Sequence, residues 1–147
     1  MAIVYLGLGS NKGDRIGYVQ QAASLLGMDE GISIVRTSAF YETEPWGMNS
    51  DNWFVNAVVE IKTSLPPQKP LEECQRIERQ LGRKQSDKGS GYTDRTIDID
   101  ILFFGKETID CPRLTIPHKN IADRPFVMEP LRMGAKPSLR KAFPEYF

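Results

Sequence analysis

The stretch Arg95-Thr96-Ile97-Asp98-Ile99-Asp100-Ile101-Leu102-Phe103-Phe104 constrains the fold more tightly than any other part of this chain. It alternates with the period of a half-buried strand, which puts Ile97, Ile99 and Ile101 on one face and Thr96, Asp98 and Asp100 on the other. Aspartate is depleted in strands, so two in phase need a cause. At a rise of about 3.3 Å per residue their β-carbons lie roughly 6.5–7 Å apart. Two carboxylates at that distance repel by about 2 kcal/mol at an effective dielectric of roughly 20. A hard divalent cation between them reverses the sign. Oxygen donors on a rigid strand suit Mg2+, which keeps several waters and accepts substrate phosphates as further ligands. A solvated strand face that happens to carry two acids is the plainer alternative, and the in-phase pair favours the metal.

Periodicity elsewhere places this strand last in a β-α-β-β-α-β order. Residues 2–9 read as a strand running into Gly7-Leu8-Gly9-Ser10-Asn11. A helix from Asp14 to Leu26 follows, with Ile16, Val19, Ala23 and Leu26 as its apolar stripe and Gly27 placed to end it. Residues 32–41 alternate weakly as a second strand, residues 43–52 carry the turn chemistry of a loop, and residues 53–62 form a third strand. Ser64-Leu65-Pro66-Pro67 opens a second helix, with Leu71, Cys74, Ile77 and Leu81 on its buried side and Gly82 at its end. Residues 83–94, with Gly89, Ser90 and Gly91 among charges, read as a mobile loop leading to the acid-bearing strand at 95–104. Beyond Gly105 proline punctuates the chain, which predicts a short hairpin and then short helices near 119–122, 126–133 and 138–142. The class is α+β, in the ferredoxin-like βαββαβ arrangement: an antiparallel sheet with helices packed on one face and short extra C-terminal elements. The opposite face is then free, and Asp98 and Asp100 point toward it. With 147 residues, no repeat and no long linker, 1–147 reads as a single domain.

Composition narrows the function classes. Lysine and arginine total 19, as do aspartate and glutamate, so no global basic surface argues for nucleic acid. No apolar stretch is long enough to span a membrane. The chain opens on the strand-like Ile3-Val4-Tyr5-Leu6, and no signal peptide is expected. Cys74 sits on an apolar helical face and Cys111 beside Pro112 in a turn. They make no disulfide framework and read as free thiols in a reducing cytoplasm. Without a Cys/His cluster, zinc is not expected.

The run Gly7-x-Gly9-x-x-x-Gly13 matches neither the dinucleotide fingerprint nor a Walker loop, and reads as a strand-to-helix turn. Any handling of phosphates then falls to side chains and metal. Arg83, Arg95, Arg113, His118, Lys119 and Arg124 bracket the acidic strand in sequence. Each alone reads as surface charge. Together they are the equipment phosphoryl transfer needs, because that chemistry is mostly positioning plus charge neutralisation. Gln75 and Glu78 are three apart on the second helix, off its apolar stripe, and by spacing alone form an ordinary solvated face. Core packing is the default for Phe54 and Phe126. Trp46, between Pro45 and Gly47 in a polar loop, is harder to bury and suits stacking on a flat ligand ring.

Taken together, several segments resemble the 6-hydroxymethyl-7,8-dihydropterin pyrophosphokinase family of folate biosynthesis. They are Gly9-Ser10-Asn11, Tyr41-Glu42-Thr43-Glu44-Pro45, Phe54-Val55-Asn56-Ala57, Gln75-Arg76-Ile77-Glu78, Leu81-Gly82-Arg83, Arg95-Thr96-Ile97-Asp98-Ile99-Asp100, Arg113-Leu114-Thr115-Ile116-Pro117-His118, Arg124-x-Phe126 and Pro130-Leu131. The resemblance implies a transfer of the β,γ-diphosphate of ATP to the hydroxymethyl group of 6-hydroxymethyl-7,8-dihydropterin, with release of AMP. It implies that Asp98 and Asp100 hold two Mg2+ ions that bridge the ATP phosphates. Gln75, Glu78, Arg95, Arg113 and His118 would bind ATP, with Ile101, Leu114 and Thr115 near the adenine and Lys119 a possible further phosphate contact. Asn56 and the backbone near Thr43 would hydrogen-bond the pterin edge, within the Thr43–Pro45 segment. Phe54 and Phe126 would sandwich the ring, with Trp46 closing over it. Arg83 and Arg124 would stabilise charge during transfer, and the hydroxyl proton would pass to Asp98 or to a metal-bound water. The sequence departs from the family pattern in three places. Tyr92-Thr93-Asp94 replaces the usual Gly/Ala-Pro pair and its preceding aromatic. Lys119 stands where an aromatic often follows the histidine, and Asp51-Asn52-Trp53 replaces the usual Gln-Pro before the aromatic.

Two other classes remain open at this point. Ferredoxin-like sheets also serve as RNA platforms, although that use needs aromatics rather than aspartates on the exposed central strands. A metal-dependent nuclease or other nucleotidyl enzyme would use the same carboxylates. ATP and the pterin are the expected partners, with no nucleic acid, no membrane and a monomeric chain.

Overall fold

The sheet is organised around β1, Ala2–Ser10, which has an antiparallel partner on each side. On one side runs β4, Phe54–Thr63, with Asn56 opposite Gly9 and Val58 opposite Gly7. On the other runs β5, Asp98–Phe104, with Asp98 opposite Gly9 and Asp100 opposite Gly7. The strands β2, Ile32–Thr37, and β3, Tyr41–Thr43, both pair with the far edge of β4, so the order is β2-β4-β1-β5 with β3 beside β4. This computed structural model describes residues 1–44, 51–82, 95–118 and 137–147. The loop expected at 83–94, most of the 43–52 loop, and the helices expected near 119–122 and 126–133 lie outside the described residues.

Two helices cover one face. The first, α1, spans Arg15–Met28, and its N-cap Asp14 accepts the Gly17 N–H at 3.2 Å. It runs through Gly27 rather than ending there. The stop is Asp29, whose N–H bonds the Leu26 carbonyl and whose Oδ1 accepts the Gly31 N–H at 2.7 Å. The buried stripe is Val19, Ala22 and Leu26, with Ala23 half-buried, whereas Ile16 is 52% exposed. The second helix, α2, spans Gln68–Gln80 and buries Pro70, Cys74, Ile77 and Glu78, with Leu71 and Leu81 at the margin. Gly82 follows it at φ +94°, the left-handed position that glycine adopts without a steric cost. Between the helices and the sheet lie Val4, Leu6 and Leu8 of β1, Val55, Ala57, Val59 and Ile61 of β4, and Ile97, Ile99 and Ile101 in and beside β5.

The second strand expected at 32–41 is broken in two. Ser38 donates its N–H to the Val58 carbonyl and accepts the Val58 N–H on its Oγ, both at 2.8 Å, so a side chain replaces one ladder bond and ends β2. The acid-bearing strand begins at Asp98, with Arg95 on its approach. Its register shifts against β1: Phe103 faces Tyr5 and Ile101 faces Leu6, which leaves Leu102 as an extra, bulged residue. The bulge resets the phase. Ile101 and Phe104 join the helix-side core, whereas Leu102 and Phe103 join a second cluster with Tyr5, Val58, Leu139 and Phe143 on the opposite face.

That second cluster corrects the expectation of a free face. A short helix, α3 (Pro137–Ala142), and the 3-10 turn Pro144–Tyr146 pack on the half of the open face that carries Phe103, whose ring lies 5.3 Å from Phe143 and 5.5 Å from Tyr146. The half that carries Asp98 and Asp100 lies beyond this cover. The predicted hairpin is present as β6, Ile109–Cys111, and β7, Leu114–Ile116. Cys74 and Cys111 are both free thiols. Burial, with the carboxylates of Glu78 and Asp100, pushes the Cys74 thiol well above the ordinary thiol range. Among the described residues no helix is long and apolar enough to cross a membrane.

Candidate active site

The site rests on two glycines. Gly7 and Gly9 lie inside β1 rather than in the turn, where only Gly13 of the run has a positive φ. Because opposite residues of an antiparallel pair share a face, Gly9 sits between Asn56 and Asp98, and Gly7 between Val58 and Asp100. Neither glycine raises a side chain between its neighbours. A β-carbon added at Gly9 would stand 3.1 Å from Asn56 Oδ1 and 3.4 Å from Phe54 Cδ1. The middle strand therefore forms a floor without side chains of its own; Asn56 and Phe54 close over Gly9, which is buried, and Leu102 reaches to within 3.4 Å of where a β-carbon at Gly7 would stand. With strands about 4.8 Å apart, the floor separates β4 from β5 by roughly 10 Å.

On the β5 side, Asp98 and Asp100 share the open face as the alternation predicts, with their side chains 23% and 27% exposed. Arg95, 5% exposed, reaches across one turn of chain to place Nη1 3.4 Å from Asp98 Oδ2. His118 Nε2 lies 3.8 Å from Asp100 Oδ1. Each acid thus has a cationic or protonatable neighbour, which offsets part of their mutual repulsion.

The outer edge of β5 is held at two points. Glu78 Oε2 of α2 accepts the Ile99 N–H at 2.9 Å, and the His118 N–H donates to the Leu102 carbonyl at 3.0 Å. Glu78, read from spacing as part of a solvated face, is 4% exposed, while Gln75 is half-buried. Its direction on the helix was hidden because the apolar stripe extends one position further round. Ile101 is in the helix-side core, where Leu114 packs against the same cluster, and Thr115 is half-buried beside it in β7. Arg113 is exposed in the β6–β7 turn.

On the β4 side, Asn56 Nδ2 donates to Thr43 Oγ1 at 2.6 Å, which fixes the amide with Oδ1 over Gly9. Phe54 is half-buried beside it on the open face, not in the core, and Trp53 is 46% exposed. Pro45, Trp46, Arg83, Lys119, Arg124 and Phe126, and the Tyr92-Thr93-Asp94 departure, lie outside the described residues. The sequence reading overlooked Asn11, which is 2% exposed and bonds both Asn52 and Arg95, and it overlooked the floor role of Gly7 and Gly9.

The donor set fits magnesium. Two carboxylates share one face, and among the described residues no group of three or more His, Cys, Asp or Glu side chains converges on one point. A soft or fully protein-ligated ion needs more, whereas Mg2+ is held by one or two carboxylates together with water and phosphate.

Residues 5–135 match the family described as 7,8-dihydro-6-hydroxymethylpterin-pyrophosphokinase (HPPK). The chain belongs to this family. A relative from Porphyromonas gingivalis named 2-amino-4-hydroxy-6-hydroxymethyldihydropteridine pyrophosphokinase is 47% identical over 132 residues, which cover 89% of each chain. The Bacillus subtilis protein of the same name is 43% identical over 129 residues, covering 88% of this chain and 75% of its own. An Arabidopsis thaliana folate synthesis bifunctional protein is 41% identical over 128 residues, 87% of this chain and 26% of that one. Among solved structures, an HPPK-DHPS in complex with substrates superposes over 99% of this chain with a TM-score of 0.69 at 16% identity. The Plasmodium falciparum HPPK-DHPS with pteroate superposes over 89% with a TM-score of 0.68 at 19% identity. The chain spans 43% and 38% of those two longer chains. These likenesses show the pyrophosphokinase fold, a mixed α/β structure with an antiparallel sheet.

Proposed function

We propose that this chain transfers the diphosphate of ATP to the hydroxymethyl group of 6-hydroxymethyl-7,8-dihydropterin and releases AMP. The observation that carries the reading is the floor of Gly7 and Gly9, with Asn56 on one side and the carboxylate pair on the other. A flat heterocycle would lie against Asn56 and Phe54, the side chains that close over Gly9. Asn56 Oδ1 there accepts a ring N–H, and Phe54 offers its face to the ring. The strand order β2-β4-β1-β5, with β3 beside β4, accords with a ferredoxin-like βαββαβ core.

Asp98 and Asp100 would hold the Mg2+ ions, which when bound neutralise the triphosphate and make the β-phosphorus more electrophilic. Arg95 and His118, beside the two acids, supply donors to phosphate oxygens; Arg95 also keeps Asp98 oriented. Asn56, Thr43 and Phe54 hold the pterin so that its hydroxymethyl oxygen points along the floor toward β5. That oxygen forms a bond to the β-phosphorus. The bond from the β-phosphorus to the α,β-bridging oxygen breaks, AMP leaves with that oxygen, and the hydroxyl proton passes to Asp98 or to water. Arg83 and Arg124 stabilise the charge that builds during transfer, and Trp46, Pro45 and Phe126 complete the pterin side.

Both half-sites come from one sheet of one chain, which suits a monomer, and the two free thiols suit the cytoplasm. An RNA platform is disfavoured, because the uncovered half of the open face carries two carboxylates. The test is incubation with ATP, Mg2+ and the pterin, followed by chromatography. AMP and a diphosphorylated pterin in equal amounts are expected; ADP, or AMP formed without the pterin, would overturn the reading.

A further inference from the structure

Thr96 brings to the approach of the aspartate strand a hydroxyl that no protein group satisfies, and we infer that it binds an oxygen of the Mg2+–triphosphate group, either a phosphate oxygen or a water on the ion. The inference rests on the function proposed above. Thr96 stands at the bend between Arg95 and β5 and is half-buried, and its Oγ1 is buried without a hydrogen-bond partner in the protein. Ile97 and Ile99 turn into the helix-side core, and Thr96 falls in the phase of Asp98 and Asp100. The backbone around it is held at both ends. Arg95 exchanges its N–H and its carbonyl with Asn11, at 2.8 and 3.1 Å, and the Ile99 N–H is held by Glu78. The hydroxyl is thus carried on a fixed stretch of chain beside the first of the two acids.

A buried hydroxyl without a partner costs stability, whereas valine, of nearly the same shape, carries no such cost. Threonine is accounted for at this place if its partner arrives with a ligand. The residue as a whole is only partly buried, so a staggered step about χ1 is enough to turn the oxygen outward. The group that the neighbouring carboxylates draw is a hydrated cation with phosphate attached. A threonine hydroxyl donates to a phosphate oxygen and accepts from a metal-bound water, so it serves either. Arg95, whose guanidinium lies beside Asp98, offers only donors and a positive charge. Thr96 adds a neutral group that can also accept, and so can fix the orientation of a water that Arg95 cannot.

The test combines calorimetry and thermal denaturation on the full chain. A non-hydrolysable ATP analogue is titrated with Mg2+ and again with a chelator in its place. Thr96→Val, which keeps the β-branched shape and removes the hydroxyl, should weaken binding of the Mg2+–analogue by roughly 10–100-fold, the usual effect of losing a group that orients the ligands of an ion. Its melting midpoint without ligand should equal or exceed that of the unaltered protein. Thr96→Ser, which keeps the hydroxyl, should retain most of the affinity. A loss confined to the titration with Mg2+ assigns the contact to a water on the ion, and an equal loss with chelator assigns it to a phosphate oxygen. A lowered midpoint for Thr96→Val without ligand would give the hydroxyl a structural partner and overturn the inference. Unaltered affinity in Thr96→Val, or an equal loss in Thr96→Ser, would overturn it as well while leaving the enzyme reading standing. Unaltered protein that does not bind the Mg2+–analogue overturns both.

Discussion

Glu78 Oε2 accepts the N–H of Ile99, the residue between Asp98 and Asp100, at 2.9 Å. β5 is an edge strand, and an edge N–H needs a partner from outside the sheet. Here a carboxylate from α2, itself 4% exposed, supplies it, so the helix holds the strand at the peptide where the two acids diverge.

Glu78→Ala leaves that N–H without this acceptor, a loss of about 1–3 kcal/mol for a buried donor. Thermal denaturation should show a lower midpoint, while Glu78→Gln, which retains an acceptor oxygen, should recover most of the difference. Equal destabilisation by the two variants would assign the effect to the charge rather than to the hydrogen bond.

Gly9→Ala should act on one substrate only. Its φ is not one that favours glycine, so the backbone accepts alanine, but the new methyl stands 3.1 Å from Asn56 Oδ1 and 3.4 Å from Phe54 Cδ1 and displaces the side chains that hold the pterin. Steady-state kinetics should show a raised KM for the pterin with the KM for ATP little changed. A parallel rise in both would mean that the floor does not divide the site as described.

Asp98→Ala and Asp100→Ala should each abolish turnover in a folded protein, because one carboxylate remains where two are needed. Removal of divalent metal with a chelator should do the same to the unaltered protein, and Mg2+ should restore it. AMP release by folded Asp100→Ala at a near-normal rate would contradict the metal role.

The two cysteines should differ sharply. Cys111 is exposed and should react with a thiol reagent at neutral pH; Cys74, buried and held protonated, should react only after denaturation. The raised Cys74 pKa also sets a sign. Below the ordinary thiol pKa near 8.5, folded and unfolded chains both carry the proton. Above it the unfolded thiol ionises and the folded one does not, so stability should decline with pH by up to about 1.4 kcal/mol per unit. Cys74→Ala should remove that part of the slope.

The acid pair was legible because it depends on a local rule, the period of two along a strand, and the structure keeps Asp98 and Asp100 on one face. The hairpin after Gly105 was legible from the proline punctuation of that segment. Asn11 was not, because its partners Asn52 and Arg95 are 41 and 84 residues away and no spacing rule reaches so far. Gly7 and Gly9 were read as the end of a strand running into a turn; their place beneath the site depends on what stands opposite in neighbouring strands. Ser38 was hidden in a weakly alternating run, since only the position of Val58 makes its hydroxyl a substitute for the ladder.

The single extra residue at Leu102 divides β5 into two territories that answer to different demands. Upstream of it, substitutions meet the chemistry; downstream, they meet the aromatic clasp of Phe103, Phe143 and Tyr146. Selection can therefore harden or soften the C-terminal clasp of this protein while leaving the reacting groups where they stand.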